Sequence, residues 1–326
     1  GKFSQRNIVR TDEDLFVMSW NVRGSDLDSG PTTSWNIRKN LAREVLEYIH
    51  PDIIGLQEAQ PNQKNFFTSF GYNLSETILY NPNKLTLVDS EIVWFSPDGT
   101  RVRAWDASSP RGVTWSIFNV KDNNESIIVF NLHLDHIGYQ SRMESIKILK
   151  NTIQQIHQKE GFLPTLILGD FNSVKYTELW DSVMELHFKD AALELYNQDG
   201  VEYTYHHFHG LHFNSLYMRI VQYLSYYASR FEIGRKYTNI PSPFAPSLFR
   251  SMYEAIFGMG KVHHIDWILY SNHFKPSQFQ VITHHRKTHE TIDSSNWYHP
   301  KELFHRFIVR SQINPSDHFP IFCSFN

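Results

Sequence analysis

Residues 165–172 read Thr-Leu-Ile-Leu-Gly-Asp-Phe-Asn, a short apolar run that ends in two polar side chains, Asp170 and Asn172. A run of this length, rich in aliphatic residues, predicts a buried β-strand. Three earlier runs of the same kind are also followed by polar residues: Trp20-Asn21, Gln57-Glu58 and His133. Because polar groups at the ends of several strands tend to converge on one rim of a sheet, the sequence predicts a shared ligand site there.

Two more polar positions belong with this set. Asp266 lies at the start of another apolar run, and the segment Pro315-Ser-Asp317-His318-Phe-Pro precedes the last one. Each piece alone is weak, since an isolated Asn or Asp at a strand end is more often a turn former. The occurrence of all six pieces in this order indicates one catalytic centre, because random strand ends would not reproduce the set.

The remaining patterns predict a mixed α/β (α+β) architecture. Strands are predicted at Leu15–Trp20, Asp52–Leu56, Glu91–Phe95, Val113–Val120, Ser126–Leu132, Thr165–Leu168, Ile265–Tyr270 and Phe319–Phe325. Many strands with a few interleaved helices favour two packed mixed sheets with helices outside, a four-layer β-sandwich.

Two amphipathic helices stand out between the strands. The first has Ile37, Leu41, Val45 and Ile49 on one face, with Ser34 as a cap and Pro51 after its end. The second has Ile146, Leu149, Ile153 and Ile156 in a stripe, is opened by a capping box from Ser141 to Glu144, and closes near Gly161.

Residues 211–262 differ in character from the rest of the chain. Aromatic and apolar side chains recur there at helical spacing beside several Arg and Lys residues, and a Pro-rich hinge at 241–246 divides them. One interpretation is a helical insertion that packs on the core. The other is a basic, aromatic lid or membrane-surface element that recruits an anionic or lipid substrate. We therefore predict a single domain over residues 1–326 with an insertion at about 211–262.

Composition restricts the classes of protein. The chain has 326 residues and a formal net charge of −3, which weakens a nuclease interpretation without excluding it, because nucleic-acid binders usually carry a basic surplus. The single cysteine, Cys323, excludes an intramolecular disulfide, and its apolar surroundings predict a buried thiol. No apolar stretch has the length of a membrane span.

The polar pattern as a whole resembles the endonuclease/exonuclease/phosphatase (DNase I-like) superfamily. The residues that carry the resemblance are Ser19-Trp-Asn21, Leu56-Gln-Glu58, His133-Leu, Gly169-Asp-Phe-Asn172, Ile265-Asp266 and Ser316-Asp-His318. It covers residues 15–210 and 262–325. It is closest to a poorly characterised, largely bacterial branch, as indicated by Trp105–Arg111, Asn131–His136 and Thr204-Tyr-His.

The resemblance implies a metal site and a catalytic set. Glu58 would be the main ligand of Mg²⁺ or Mn²⁺, with Asn21 beside it and Asp317 completing the metal or water shell. Asp170 would orient and deprotonate the attacking water, while Asn172 would hold a phosphate oxygen.

Three further roles follow from the same resemblance. His318 would donate to the phosphate as an imidazolium that Asp266 keeps oriented and charged. His133 would stabilise the transition state or assist the leaving group. For Arg111, a bidentate phosphate clamp and a structural salt bridge are both open.

One departure from the family concerns Arg23. Abasic-site endonucleases carry an Asp at this position, and replacing a carboxylate by a cation argues against two tightly held metals and against abasic-site repair.

The sequence is therefore compatible with three functions. The first is a metal-dependent phosphodiesterase or phosphatase on a small or lipid-linked phosphate. The second is a nuclease on DNA or RNA, and the third is an inactive binding module.

Overall fold

A computed structural model describes residues 8–11, 14–30, 32–173, 175, 177–195, 203–206, 208, 264–284, 286–287 and 312–326. The strands are β1 (Leu15–Asn21), β2 (Ile53–Gln57), β3 (Asn73–Ser75), β4 (Ile78–Tyr80), β5 (Leu85–Trp94), β6 (Gly112–Val120), β7 (Glu125–His133), β8 (Thr165–Asp170), β9 (Lys189–Asp190), β10 (Asp266–Tyr270), β11 (Pro276–Val281), β12 (Arg286–Lys287), β13 (Gln312–Ile313) and β14 (Ile321–Phe325). The helices are α1 (Trp35–Ile49), α2 (Pro61–Thr68), α3 (Tyr139–Glu160), α4 (Glu178–Met184) and α5 (Ala191–Glu194).

Two six-stranded sheets dominate the described residues. The first sheet has the order β11-β14-β1-β2-β4-β3, and the second has the order β5-β6-β7-β8-β10-β9. Each sheet contains one parallel pair, β1 with β2 and β7 with β8, among antiparallel neighbours. The predicted pair of mixed sheets is therefore confirmed.

The core follows from the alternation of side chains along the strands. Val17 and Ile53 of the first sheet lie in one buried cluster with Val129 and Leu168 of the second sheet. The neighbouring residue Met18 points to the opposite face, where it packs with residues of α1. Because successive strand residues face opposite sides, each sheet buries its two faces, one against the other sheet and one against helices.

The strand register brings the predicted site residues to one rim. In the parallel pairs, Asn21 lies opposite Gln57, and His133 lies opposite Asp170. In the antiparallel pair of β10 with β8, Asp266 lies opposite Asp170. A helix joins each parallel pair, α1 in the first sheet and α3 in the second, as parallel strands require.

The first helix differs from the predicted stripe at one position. Leu41, Val45 and Ile49 are buried as predicted, but Ile37 is 40% exposed, whereas the neighbouring Arg38 is 0% exposed. The prediction placed Ile37 on the buried face because it weighed apolar spacing alone, while the guanidinium of Arg38 finds backbone acceptors inside. Ser34 is the residue before the helix, yet its side chain makes no capping bond.

The predicted capping box of the second helix is wrong. The helix α3 begins at Tyr139, and its first free N–H groups, of Gln140 and Ser141, donate to the carboxylate of Asp106. A charged acceptor from a distant loop takes the place of the local Ser and Glu pair. The buried stripe from Ile146 to Ile156 and the end at Gly161 are as predicted.

The predicted strand at Glu91–Phe95 is the end of the longer β5, and six described strands were not predicted: β3, β4, β9, β11, β12 and β13. Cys323 is buried, as expected. The predicted insertion at 211–262 lies outside the described residues. Among the helices that the structure describes, none combines the length and apolar character needed to cross a bilayer.

Candidate active site

Asn21, the last residue of β1, bridges the two sheets at the rim. Its Nδ2 lies 3.0 Å from Oε1 of Glu58 and 3.1 Å from Oδ2 of Asp170, while its Oδ1 accepts the N–H of Arg23 at 3.0 Å. This network fixes which end of the amide is nitrogen, because the carboxylates need a donor and the backbone N–H needs an acceptor. Asn21 therefore orients both carboxylates of the site.

Glu58 follows β2 in a left-handed backbone conformation, with φ of 62°. Such a conformation is uncommon for a residue with a side chain and often marks a functional position. Burial opposes ionisation of Glu58, but His133, the Asn21 amide, His318 and the N–H of Gly24 together lower its pKa to about 2. Glu58 is an anion at neutral pH.

Asp170 ends β8 and is fully buried. Burial first, and then the carboxylate of Asp266, raise the pKa of Asp170 to about 7, although His318 and Asn21 oppose the shift. Its Oδ1 accepts the N–H of Asn172 at 2.8 Å. A carboxyl group with a pKa near 7 can hold or release a proton at physiological pH.

Asn172 lies directly beyond that strand with φ of 45°, again in the left-handed region. Its Nδ2 donates to the carbonyl of Leu134 at 2.9 Å, so the amide is held beside the end of β7.

His318 and Asp266 form a buried pair. Nδ1 of His318 donates to Oδ2 of Asp266 at 2.9 Å, and its Nε2 lies 3.8 Å from Oδ2 of Asp170. Burial disfavours the charged ring, but Asp266, Asp170 and Asp317 outweigh it and raise the pKa of His318 to about 10. His318 is an imidazolium with an aspartate on each side.

His133 contributes a second ring to the rim. Its Nε2 lies 3.5 Å from Oδ2 of Asp170. Burial, followed by the charge of Arg111, lowers the pKa of His133 to about 3, so this imidazole is neutral at pH 7. His133 is charged only in acid, where it helps to lower the pKa of Glu58; at neutral pH the Asn21 amide, the Gly24 N–H and His318 hold the Glu58 anion.

Arg111 is engaged by the loop beside His133. Its Nε donates to Asp135 at 3.2 Å, and its Nη2 lies 3.3 Å from Nδ1 of His136. Asp135 also accepts N–H or O–H groups from Ser108, Ile137 and Gly138. The structure therefore contains the salt bridge between Arg111 and Asp135. The phosphate clamp, which would use the other edge of the guanidinium, stays a prediction.

Asp317 precedes His318 and lies close to Arg23. Its Oδ2 is 3.6 Å from Nη1 of Arg23, and its Oδ1 accepts the hydroxyl of Ser316. Arg23 itself pairs more closely with Asp28, at 2.8 Å. The role of Asp317 in a metal shell with Glu58 stays a prediction.

Residues 204–205 complete the site and were given no role from the sequence. The backbone of Tyr205 forms an isolated antiparallel β-bridge with that of His318, and the centroids of the two rings lie 5.0 Å apart. Oγ1 of Thr204 accepts the N–H groups of Ile265 and Asp266, at 3.1 and 3.2 Å. The Thr204-Tyr-His motif was quoted for the resemblance alone, and only the long-range pairing assigns it to the surroundings of His318.

Two groups of side chains have the composition of a divalent-metal site. Glu58 and Asn21 offer carboxylate and amide oxygens, which suit a hard cation such as Mg²⁺ or Mn²⁺. Asp170, Asp266 and His318 have ligand atoms within 4.8 Å of one another. In the second group a metal would have to break the His318–Asp266 hydrogen bond. In the first group it would use the Glu58 carboxylate and the remaining lone pair of Asn21 Oδ1, which already accepts the Arg23 N–H.

Comparison with known sequences gives one match that spans most of the chain. A family described as the Endonuclease/Exonuclease/phosphatase family matches residues 18–318. This range includes every residue of the predicted site.

Two relatives match about half of the chain. An uncharacterized protein of Acanthamoeba polyphaga mimivirus is 30% identical over 183 residues, which are 48% of this chain and 66% of that protein. A probable RNA exonuclease of Saccharomyces cerevisiae is 23% identical over 190 residues, which are 49% of this chain and 38% of that protein. The match thus spans less than two thirds of either relative's length.

Among solved structures, a mannosyl-6-phosphatase of Bacteroides thetaiotaomicron has a similar fold. The TM-score is 0.66 with 21% identity, and the alignment covers 96% of this chain and 99% of the other. At this identity the likeness shows the fold alone.

Proposed function

Because the chain belongs to the Endonuclease/Exonuclease/phosphatase family, we propose that it is a divalent-metal-dependent phosphoester hydrolase acting on a small or lipid-linked phosphate. The observation that carries the proposal is a single buried hydrogen-bonded set. An ionised Glu58 and a proton-holding Asp170 share the amide of Asn21, and the His318 imidazolium lies beside Asp170.

In this proposal Glu58, Asn21 and Asp317 hold Mg²⁺ or Mn²⁺. When bound, the ion neutralises charge that develops on the phosphoryl and leaving oxygens. Asn21 keeps the Glu58 carboxylate turned toward the rim through its Nδ2 donor. Arg23 balances the charge of Asp317 from the other side.

Asp170 would act on the attacking water. Its Oδ2 is surrounded by Asn21 at 3.1 Å, His133 at 3.5 Å and His318 at 3.8 Å. In its ionised form this oxygen accepts a proton from water, and the raised pKa makes it a stronger base than an ordinary aspartate. Asn172, held in place by the carbonyl of Leu134, would hold a phosphate oxygen.

His318 would donate from Nε2 to a phosphate oxygen, because its Nδ1–H is already committed to Asp266. His133 is neutral and would assist the leaving group through its ring N–H. Arg111, with one edge of its guanidinium fixed on Asp135, would present the other edge to the phosphate.

Three features support a small or lipid-linked substrate. The net charge of −3 gives no general attraction to nucleic acid. The segment 211–262 is basic and aromatic in sequence, as a lid or membrane-surface element would be. A solved structure with the same fold is that of a mannosyl-6-phosphatase.

The alternative is a nuclease on DNA or RNA. A probable RNA exonuclease is among the relatives, and this similarity favours the nuclease hypothesis. A nuclease would cleave plasmid or single-stranded RNA, with activity that falls steeply as salt is added. A lipid enzyme would ignore both and act on vesicles, and it would lose that activity on deletion of residues 213–258.

The first experiment is hydrolysis of bis-(p-nitrophenyl) phosphate with Mg²⁺ or Mn²⁺, with and without a chelator. Metal-dependent turnover that His318→Ala abolishes supports the enzyme and disposes of the inactive binding module. No turnover with any metal on a panel of sugar phosphates, phosphoinositides, sphingomyelin vesicles, DNA and RNA would refute the proposal.

A further inference from the structure

A buried polar contact joins the two sheets directly below the candidate active site. Gln57 ends β2 of the first sheet, and Asn131 lies in β7 of the second sheet; they are 2% and 3% exposed. Nε2 of Gln57 donates to Oδ1 of Asn131 at 2.7 Å. The contact therefore crosses the interior from one sheet to the other.

Asn131 is held by the first sheet on its other side as well. Its Nδ2 donates to the carbonyl of Leu56 at 2.9 Å and to the hydroxyl and carbonyl of Thr77 at 2.8 and 3.2 Å. A side chain of the second sheet thus has all its described hydrogen bonds with the first. Gly55 gives it room, since a Cβ there would lie 2.6 Å from Oδ1 of Asn131.

The position of the pair relates it to the chemistry above. Glu58 is the next residue after Gln57, and His133 lies two residues after Asn131, on the same face of β7. His133 is in turn the strand neighbour of Asp170. The pair therefore connects the backbone that carries Glu58 to the backbone that carries His133.

The Gln57–Asn131 pair also includes a buried polar atom without a hydrogen bond. Oε1 of Gln57 is buried and has no hydrogen-bond partner among the described residues. Turning the amide around does not help, because Nδ2 of Asn131 is needed by two carbonyls, so Oδ1 must face Gln57 and needs a donor there. A buried amide with an unsatisfied oxygen destabilises the fold. The pair is therefore better explained by a role in function than by a role in stability.

We propose that Gln57 and Asn131 are positioning residues that set the distance between Glu58 on the first sheet and His133 and Asp170 on the second. This inference rests on the proposed function, since it assigns the pair to the metal-binding half of that site. Residues behind the ligands of a metal site orient them, and their loss lowers metal affinity.

The test uses Gln57→Met, Asn131→Leu and the double variant in the full chain. The matched control is Ser116→Ala, because Ser116 of β6 also makes a buried contact across the sheets, to Ser75 at 2.9 Å, but lies farther from the rim. Mn²⁺ affinity is measured by electron paramagnetic resonance of the free ion, and thermal unfolding and kcat and KM are measured on the same proteins.

Gln57→Met is expected to weaken Mn²⁺ binding about 10–100-fold. It also leaves Oδ1 of Asn131 without its donor, so its thermal stability should be lower than that of Ser116→Ala, and Mn²⁺ affinity is compared at a temperature at which both variants are folded. The double variant should bind Mn²⁺ no more weakly than the worse single variant, since both remove one contact. Unchanged Mn²⁺ affinity in folded variants would overturn the inference, and so would a Gln57→Met chain that fails to fold.

The result separates the two proposals. A wild-type protein that binds Mn²⁺ but hydrolyses no phosphoester would refute the proposed function, while the variants would still be read from their Mn²⁺ affinity. A wild-type protein that binds no Mn²⁺ would overturn both.

Discussion

Glu58 and Asp170 lie at equivalent places in the two sheets, and their ionisation differs. Each carboxylate follows or ends a buried strand, and each accepts a hydrogen bond from the same Asn21 amide. Yet the pKa of Glu58 is lowered to about 2, whereas the pKa of Asp170 is raised to about 7. Burial acts in the same direction on both, so the neighbours decide the difference.

The neighbours differ in one essential charge. Asp170 has the carboxylate of Asp266 close to it, and this like charge disfavours its own ionisation. Glu58 has donors on both oxygens instead, from Asn21 and Gly24. In the proposed function, the Glu58 half of the rim therefore holds the cation and the Asp170 half accepts the proton.

The largest expected effect comes from Asp170→Asn. The variant keeps the shape of the side chain but removes the base, so kcat should fall about 10²–10⁴-fold. Mn²⁺ affinity should stay near that of the wild type, because Glu58 is intact. Steady-state kinetics on bis-(p-nitrophenyl) phosphate and a Mn²⁺ titration measure the two effects. Equal losses of kcat and of Mn²⁺ affinity would mean that proton transfer and metal binding are not assigned to separate carboxylates.

Glu58→Gln should mainly lower Mn²⁺ affinity, whereas Asp170→Asn mainly lowers kcat. Loss of the negative charge is expected to weaken Mn²⁺ binding about 100-fold, because a hard cation depends on carboxylate oxygen. Raising the Mn²⁺ concentration should recover part of the turnover, which it would not do for Asp170→Asn. A Glu58→Gln protein with wild-type Mn²⁺ affinity would place the ion elsewhere, with Asp170, Asp266 and His318 as the next candidates.

The variant Asp266→Asn should shift the pH profile. Asp266 raises the pKa of both Asp170 and His318, to about 7 and about 10. Activity should rise as Asp170 loses its proton and fall as His318 loses its own. Removing the Asp266 charge lowers both pKa values, so both limbs of kcat/KM should move to lower pH, by about one unit or more. Limbs that move in opposite directions would contradict these assignments.

Arg111→Lys should have the smallest effect. Asp135 keeps its bonds from Ser108, Ile137 and Gly138, and lysine keeps the positive charge, so the variant should still fold, with a lowered free energy of unfolding. If the guanidinium also clamps the phosphate, KM should rise about 10-fold, because lysine cannot bind two oxygens side by side. An unchanged KM would leave only the salt-bridge role.

Much of the rim was predictable from the sequence for a local reason. Apolar runs that end in Asn21, Glu58, His133 and Asp170 define strand ends, and a strand end has a direction, so the side chains beyond it share an edge. Asp266 and His318 also flank apolar runs, and the family resemblance predicted their pairing, which is observed at 2.9 Å. Their roles in the reaction remain predictions.

The parts that were not predicted depend on contacts between distant residues. Arg38 is buried because its guanidinium reaches the carbonyls of Val22, Arg23, Thr33 and Pro315, and helical spacing contains no sign of them. The Gln57–Asn131 contact likewise joins two strands whose individual patterns are unremarkable. Apolar periodicity shows which face of an element is inside, and it does not show which polar groups meet there.

The pairing of β1 with β14 has a consequence for protein synthesis. β1 lies between β14 and β2, with Leu15 opposite Phe325, so β1, which is synthesised before the other described strands, waits for β14 before its sheet is complete. Asn21 and His318 reach their common rim only at that stage. A nascent or truncated chain that lacks β14 would therefore not bring Asn21 and His318 together, and the proposed site would form only after β14 has been synthesised.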